Sequence, residues 1–248
     1  MTRPVTIGFD ADDTLWHNED HFHEVEQEFA DAMTPWAERS SALELLGETE
    51  RRNLKIFGYG VKGFTISMIE AAVELSSGAV PAPVLQTLIE HGKALHTRPP
   101  RLLDDVEAVL DTLSAEHELL LVTKGDLHHQ QGKVGESGLA DRFRHVEVVA
   151  EKDPATYLRV LGRQGIAPEE FVMVGNSLRS DVLPVLEIGG VGVHIPYSVT
   201  WAHELAEVTD AVRATGRFHE LGSITGLPGL IAESGWRPRR SGPGRSVG

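Results

Sequence analysis

The sequence predicts an α/β fold in which helices flank a mostly parallel sheet and a helical module is inserted after the first strand. Three observations lead there. Short apolar runs with β-branched residues recur along the chain, amphipathic stretches separate most of them, and about 80 residues of helical pattern fall between the first two runs.

Residues 5–10, VTIGFD, read as the first strand: an apolar run that ends in an acid, as a buried strand does where its tip opens into a site. Helical spacing then dominates residues 17–96. Phe22, Val25, Phe29 and Met33 form one series; Phe64, Ile66, Ile69 and Val73 another; Val84, Leu85, Leu88 and Ile89 a third. A crossover needs only about a dozen residues, so this stretch reads as an inserted helical cap above the sheet's carboxyl edge. Polar residues 16–20 and the segment TRPP at 97–100 are its expected hinges. Leu103, Val106, Val109, Leu110 and Leu113 return the chain to the sheet as a helix. Further strands are expected at 119–123 (LLLVT), 146–150 (VEVVA), 171–175 (FVMVG) and 191–195 (VGVHI). Helices are expected between them, at 154–164 and at 180–188, where Pro184 is tolerable in a first turn and otherwise predicts a kink. The spacing suits right-handed crossovers in a Rossmann-like sheet, whose ligand edge lies at the strands' carboxyl ends.

Of 248 residues, 23 are Lys or Arg and 37 are Asp or Glu, for a formal charge of −14. That balance excludes broad affinity for a nucleic-acid polymer, which is built from clustered cations. It is compatible with a small phosphorylated metabolite, because a metal ion and a few local cations can reverse the field inside one cavity. With no cysteine, thiolate catalysis and Cys-ligated metals are excluded. No run reaches the roughly 18 apolar residues of a membrane span and the first residues do not resemble a leader, so a cytoplasmic location is expected. Residues 235–248 carry four arginines and no acid, leaving the preceding 234 residues at −18, from 19 bases and 37 acids. Rich in Gly, Pro and Ser, this segment is expected to be a disordered basic tail. The expected organisation is therefore a sheet domain of residues 1–16 and 97–234, a cap of residues 17–96, and the tail.

Four features converge on the predicted carboxyl edge. The first strand runs into FDADDTLW, the second ends VTKGD, the third is followed by EKDP and the fourth by VGNSLRSD. In their order and spacing these segments resemble the four motifs of the haloacid-dehalogenase superfamily, in its phosphatase-type members with a helical cap after motif one. The resemblance covers most of residues 5–196. It centres on Asp10, Asp12, Asp13 and Thr14, then Thr123, then Lys152, then Gly175, Asn176, Ser177 and Asp181.

The resemblance implies that Asp10 is the nucleophile, attacking phosphorus to give an aspartyl-phosphate. Asp12 would be the acid that protonates the departing alcohol and the base that then activates water. Thr123, with the main-chain N–H of Lys124, would hold the phosphoryl oxygens, and Lys152 would offset charge repulsion between substrate and Asp10. Asp13 is expected to stabilise the loop. The side chain of Lys124 is left open between phosphate and solvent.

A hard divalent ion, Mg2+, is implied as cofactor, held by Asp10, Asp181 and the main-chain carbonyl of Asp12. Asn176 departs from the Asp of many phosphatase-type relatives; it supplies a neutral oxygen or an outer hydrogen bond, and weaker metal affinity is expected. Ser177 is expected to order that loop or a metal-bound water. Asp12 disfavours dehalogenation, whose enzymes lack the second acid. A phosphomutase, a 2-haloacid dehalogenase and a catalytically weak interaction protein are the alternatives to a magnesium-dependent phosphomonoester hydrolase.

Substrate selection is assigned to the cap. Arg51, Arg52, Lys55, Tyr59 and Lys62 surround a Gly58-Tyr59-Gly60 turn, and as a group they read more readily as charged surface than as substrate contacts. The acids Glu19, Asp20, Glu24, Glu26, Glu28 and Asp31 read as a solvated helix face, with Asn18 as the helix cap. His17, His21 and His23 lack a metal-binding pattern, His128 and His129 read as surface, and Trp16 as hinge packing or part of the substrate wall.

Overall fold

The computed structural model describes residues 4–198, 206–235 and 237–238. The sheet is built from β1 (Pro4–Phe9), β2 (Glu118–Lys124), β3 (His145–Val149), β4 (Phe171–Gly175), β5 (Val191–His194), β6 (Phe218–Glu220) and β7 (Arg237–Pro238). Its order is β3-β2-β1-β4-β5-β6, with β7 beside the start of β1, and each of these pairings is parallel. Neither β6 nor β7 was expected from the sequence. Both are too short to show a period, and β7 lies in the stretch read as a disordered tail. Trp236 and residues 239–248, the remainder of that tail, lie outside the described residues apart from Gly235.

Both faces of the sheet are buried, and the period of two shows it. In β2, Leu119 and Leu121 enter one apolar cluster while Leu120 and Val122 enter another; in β4, Val172 and Val174 oppose Phe171 and Met173 in the same way. The first face is covered by α5 (Val106–Ser114) and α10 (Leu227–Glu233), the second by α7 (Pro154–Gln164) and α8 (Leu183–Glu187). Gly8 in β1 is required by this packing, since a Cβ there would sit 2.3 Å from the ring of Phe171.

Between β1 and α5 the chain forms α1 (Glu19–Met33), α2 (Arg39–Phe57), α3 (Val61–Leu75) and α4 (Ala82–His96). These helices share an apolar cluster of their own, with Phe29, Met33, Leu46, Met68 and Leu88 at its centre. In α3 the buried stripe differs from the expected series. Val61, Phe64, Met68, Ala71 and Ala72 face inward, whereas Ile66 and Val73 are exposed. Ala71 and Ala72 take close helix contacts beside Val61, Phe64 and Met68, and Ile66 and Val73 are left outside.

Two other differences have local causes. The helix expected at 180–188 begins as a π-helical turn, Leu178–Val182, and becomes α8 only where Pro184 falls in the first turn and needs no N–H partner. Asn18 does not cap α1 with its side chain; the cap is described below. Two short helices, α6 (Leu127–Glu136) and α9 (Asp210–Arg213), complete the set. Among the described residues, no helix is long and apolar enough to cross a membrane.

Candidate active site

Strand order reverses between β1 and β4, and the crevice beyond their carboxyl ends is where an open α/β sheet offers a binding site. The N–H of Asp10 donates to the carbonyl of Val174 at 2.9 Å, so the two strand tips stay joined as the loops diverge. A cavity of about 170 Å3 opens there. It is lined by Asp10, Asp12, Thr123, Lys152, Asn176 and Asp181, so all six residues singled out for chemistry meet despite separations of more than 100 positions.

Asp10 and Asp181 share one buried cation. The Lys152 ammonium donates to an oxygen of Asp10 and, at 2.7 Å, to Oδ1 of Asp181. Burial raises Asp10 to about 7, with Asp181 pushing the same way and Lys152 opposing. Burial alone would lower Lys152, but the two carboxylates outweigh it and hold the ammonium well above the ordinary lysine range. Asp181 reaches this position because residue 175 is glycine: a Cβ there would lie 2.2 Å from its Oδ2. That oxygen also accepts the N–H of Ser177 at 3.0 Å, and the Ser177 hydroxyl accepts the N–H of Ser180 at 3.0 Å. Ser177 thus ties the π-helical turn to the end of β4.

Thr14 joins two of the motifs. Its hydroxyl accepts the N–H of Asn176 at 3.0 Å and lies 3.1 Å from Asp10 Oδ2 and 3.3 Å from Asn176 Oδ1, either of which can take its proton. The carbonyl of Asn176 accepts from His194 Nε2 at 3.0 Å. Thr123 is 1% exposed, and its hydroxyl has no partner although it lines the cavity. Among the described residues that hydroxyl is buried without a partner, and Thr123 lines the same cavity as Lys152 and Asp10.

The carboxylate of Asp12 is engaged by three donors. Trp16 Nε1 donates at 2.6 Å, Gln130 Nε2 at 2.8 Å, and the ammonium of Lys133 to the same oxygen as Trp16. Burial would raise this carboxyl, but Lys133 and the hydrogen bonds prevail and keep it below its usual value. Gln130 and Lys133, on one face of α6, were missed in the sequence; their spacing is helical, but which face meets the first loop depends on the path of the chain. Trp16 is fully buried in the apolar cluster under the sheet and does not line the cavity, so it is not part of the cavity wall.

Asp13 stabilises the loop by capping α1. With φ at 60°, it turns its carboxylate to accept the N–H groups of Asn18 at 2.8 Å and Glu19 at 3.0 Å. Asn18 instead accepts the Lys133 ammonium at 2.9 Å. Lys124 donates to Ser180 at 3.0 Å, lies 4.0 Å from the centre of the Tyr59 ring and lines the cavity.

The helical module supplies the other wall. Glu19, Phe22, Glu26, Glu50, Asn53, Tyr59, Phe64 and Ser67 line it, and only Tyr59 had been considered for contact with substrate. Glu19 and Glu26 are therefore not on a solvated face; Glu24 and Glu28 are. Arg51, Arg52 and Lys55 are surface residues, as expected. Tyr59 and Lys62 instead bridge to the sheet layer, donating to Glu151 and Asp126 at 2.9 Å each. His129 also lines the cavity, and burial with the nearby charges of Lys133 and His96 lowers its imidazole to about 4, so it is neutral at pH 7.

A divalent ion is compatible with this donor set. Asp10, Asp181, Asn176 and the main-chain carbonyl of Asp12 offer oxygen alone, the donor that Mg2+ takes. Among the described residues no three His, Asp or Glu side chains gather into a metal cluster, so amide and carbonyl oxygens have to complete the set. Burial raises Asp10 and repulsion from Asp181 adds to it, and a bound cation would relieve the second.

The chain is similar to a haloacid dehalogenase-like family hydrolase from Xanthomonas campestris, 39% identical over 94% of this chain and 96% of that one, with a TM-score of 0.82. A HAD-hydrolase from Bacillus subtilis, bound to magnesium, is 15% identical over 93% and 99% of the two chains with a TM-score of 0.62, a likeness of fold alone. Human N-acylneuraminate-9-phosphatase is 29% identical over 125 residues, 48% of this chain and 50% of that protein. The chain spans about half the length of the curated relatives it matches. The family model for haloacid dehalogenase-like hydrolases matches residues 5–189, and the chain belongs to that family.

Proposed function

We propose that the protein is a magnesium-dependent hydrolase of a small organic phosphomonoester, working through an aspartyl-phosphate on Asp10. The observation that carries the reading is the placement of Asp10: its carboxylate lies between Lys152 and Thr14 at a cavity that Thr123, its buried hydroxyl unpartnered among the described residues, also lines. The phosphatase names of the curated relatives support the same class of reaction.

In this reading an oxygen of Asp10 bonds to phosphorus while the bond to the alcohol oxygen breaks, and Asp12 gives that oxygen a proton. Water, deprotonated by Asp12, then displaces Asp10 and releases phosphate. Asp12 is held ionised by Lys133, Gln130 and Trp16, the form that a base requires. Acting as an acid requires it to take up a proton and loosen from Lys133. Asp10, Asp181, Asn176 and the carbonyl of Asp12 would hold Mg2+, which when bound offsets the charge between phosphate and Asp10. Thr123 and Lys152 hold the phosphoryl oxygens. The four-helix module would act as a cap that excludes water and reads the alcohol.

A panel of phosphomonoesters assayed for phosphate release tests this. Turnover of at least one ester is expected with Mg2+, falling by about 100-fold or more when the ion is chelated, the scale of losing one transition-state charge contact. Folded protein that releases no phosphate from any of them, or releases it equally with chelator, contradicts the reading.

A further inference from the structure

The side chain of Asp12 is held from both of its oxygens. Oδ1 takes the Trp16 indole N–H at 2.6 Å and the Lys133 ammonium, and Oδ2 takes the Gln130 amide at 2.8 Å. Gln130 and Lys133 stand three residues apart, on one face of α6. That helix is fixed in turn: Asp126 caps it by accepting the N–H of His129 at 3.0 Å, and Val134 enters the apolar cluster that β1 shares.

Packing alone accounts for neither donor. Lys133 is 7% exposed and does not line the cavity, so its charge does not reach a substrate there. Its ammonium bonds Asp12 and, at 2.9 Å, the Asn18 amide oxygen at the start of α1. A buried cation is costly unless paired, and the carboxylate that pairs with this one is the proposed acid and base. Gln130, 3% exposed, uses its amide nitrogen twice, toward Asp12 and toward the main-chain carbonyl of Lys124 at 2.9 Å. Both partners are acceptors, so the nitrogen has to face them, and the amide oxygen is left buried without a partner among the described residues. Gly125 gives this amide room, since a Cβ there would lie 3.1 Å from Nε2. An apolar side chain would leave no orphaned oxygen; what the amide supplies is a bond that ties Asp12 to the loop after Thr123.

We infer that Gln130 and Lys133 are positioning residues for Asp12, holding its carboxylate where it meets the departing alcohol in one step and the attacking water in the next. This rests on the phosphomonoester reading of the site. In the first step Asp12 gives its proton to the alcohol oxygen as the oxygen–phosphorus bond breaks. In the second it takes a proton from water as the water oxygen bonds to phosphorus and Asp10 leaves. A carboxylate free to turn away serves neither step, while the groups proposed to hold the phosphoryl oxygens, Thr123 and Lys152, are untouched.

Phenyl and para-nitrophenyl phosphate separate this role from a merely structural one, because nitrophenolate departs without a proton and phenolate needs one. Gln130→Met, which removes no charge, and Lys133→Met are compared with the unsubstituted full chain by rapid mixing with Mg2+, after melting curves establish that each is folded. An unfolded Lys133→Met leaves Gln130→Met to decide. The first turnover of the nitrophenyl ester is expected to slow by at most about threefold. The first turnover of the phenyl ester and the later steady state of both should slow by at least about tenfold, with no rise in KM, so that nitrophenolate appears in a burst. First-turnover and steady-state rates that fall in proportion for both esters, a rise in KM with kcat kept, or rates equal to those of the unsubstituted chain overturn the inference. The Trp16 indole N–H resonance reads the hold without turnover, since that group donates to Asp12. It is expected to move in each folded variant, and a resonance that stays in place also overturns the inference. Turnover without the split between steps contradicts this inference alone; folded protein that turns over no ester, with the indole resonance moving, contradicts the hydrolase reading alone.

Discussion

Glu50 is half-buried in the cavity wall, and burial followed by repulsion from Glu26 raises its carboxyl to about 8. Its ordinary value is 4.5. Between the two, the folded protein keeps a proton that the unfolded chain has released, so unfolding free energy falls as pH rises and the loss is complete only above the folded value. Glu50→Gln removes this titration. Thermal melts of the metal-free protein should show the variant gaining on the original between about pH 5 and about pH 8.5, by about 2–4 °C for each kcal/mol regained. Melting curves that stay parallel across that range contradict the assignment. The residue's position was hidden in the sequence, because nothing near it in the chain marks a cavity. For Glu19, Phe22 and Glu26 a signal existed: their spacing of three and four places them on one stripe of α1, beside the core stripe of Val25, Phe29 and Met33. The run of acids around them concealed it.

The start of α1 shows where local propensity misleads. Asn18 is a favoured capping residue at the right position, yet its amide is taken by Lys133, and the N–H groups of Asn18 and Glu19 go to Asp13, five and six residues earlier. Only the tight loop after β1, with Asp13 in the left-handed region, brings that carboxylate back over the helix. Asp13→Ala is expected to cost about 0.5–2 kcal/mol in denaturant unfolding, the range for loss of a helix cap. Asp13→Asn, which keeps an acceptor oxygen, should recover most of it. An alanine variant as stable as the original would remove the capping role. The π-helical turn before α8 escaped prediction for a comparable reason: the proline marks the break, but the backbone form that carries Ser180 and Asp181 follows from their bonds to Ser177.

For the whole molecule, strand tips were the legible part. Each buried strand declared itself by an apolar run, each ended in polar residues, and parallel topology then obliges those ends to share one edge. Asp10, Thr123, Lys152 and Asp181 meet for that reason. The partners of Asp12 and the acidic wall depend instead on how α6 and the helical module lie over that edge, and no chain-local pattern encodes this. The charge of −14 likewise gave no hint that carboxylates from both the sheet edge and the helical module would line one cavity. What the fold brings together is a buried carboxylate at the first strand tip, paired with one lysine and lining the cavity at the sheet's carboxyl edge. The most direct measurement of its role is peptide mapping of the protein acid-quenched during turnover of a phosphorus-labelled ester with Mg2+. The account predicts acid-stable, hydroxylamine-labile label on the peptide containing Asp10, increased in Asp12→Asn and lost with turnover in Asp10→Asn; turnover persisting in Asp10→Asn, or label on another residue, would contradict it.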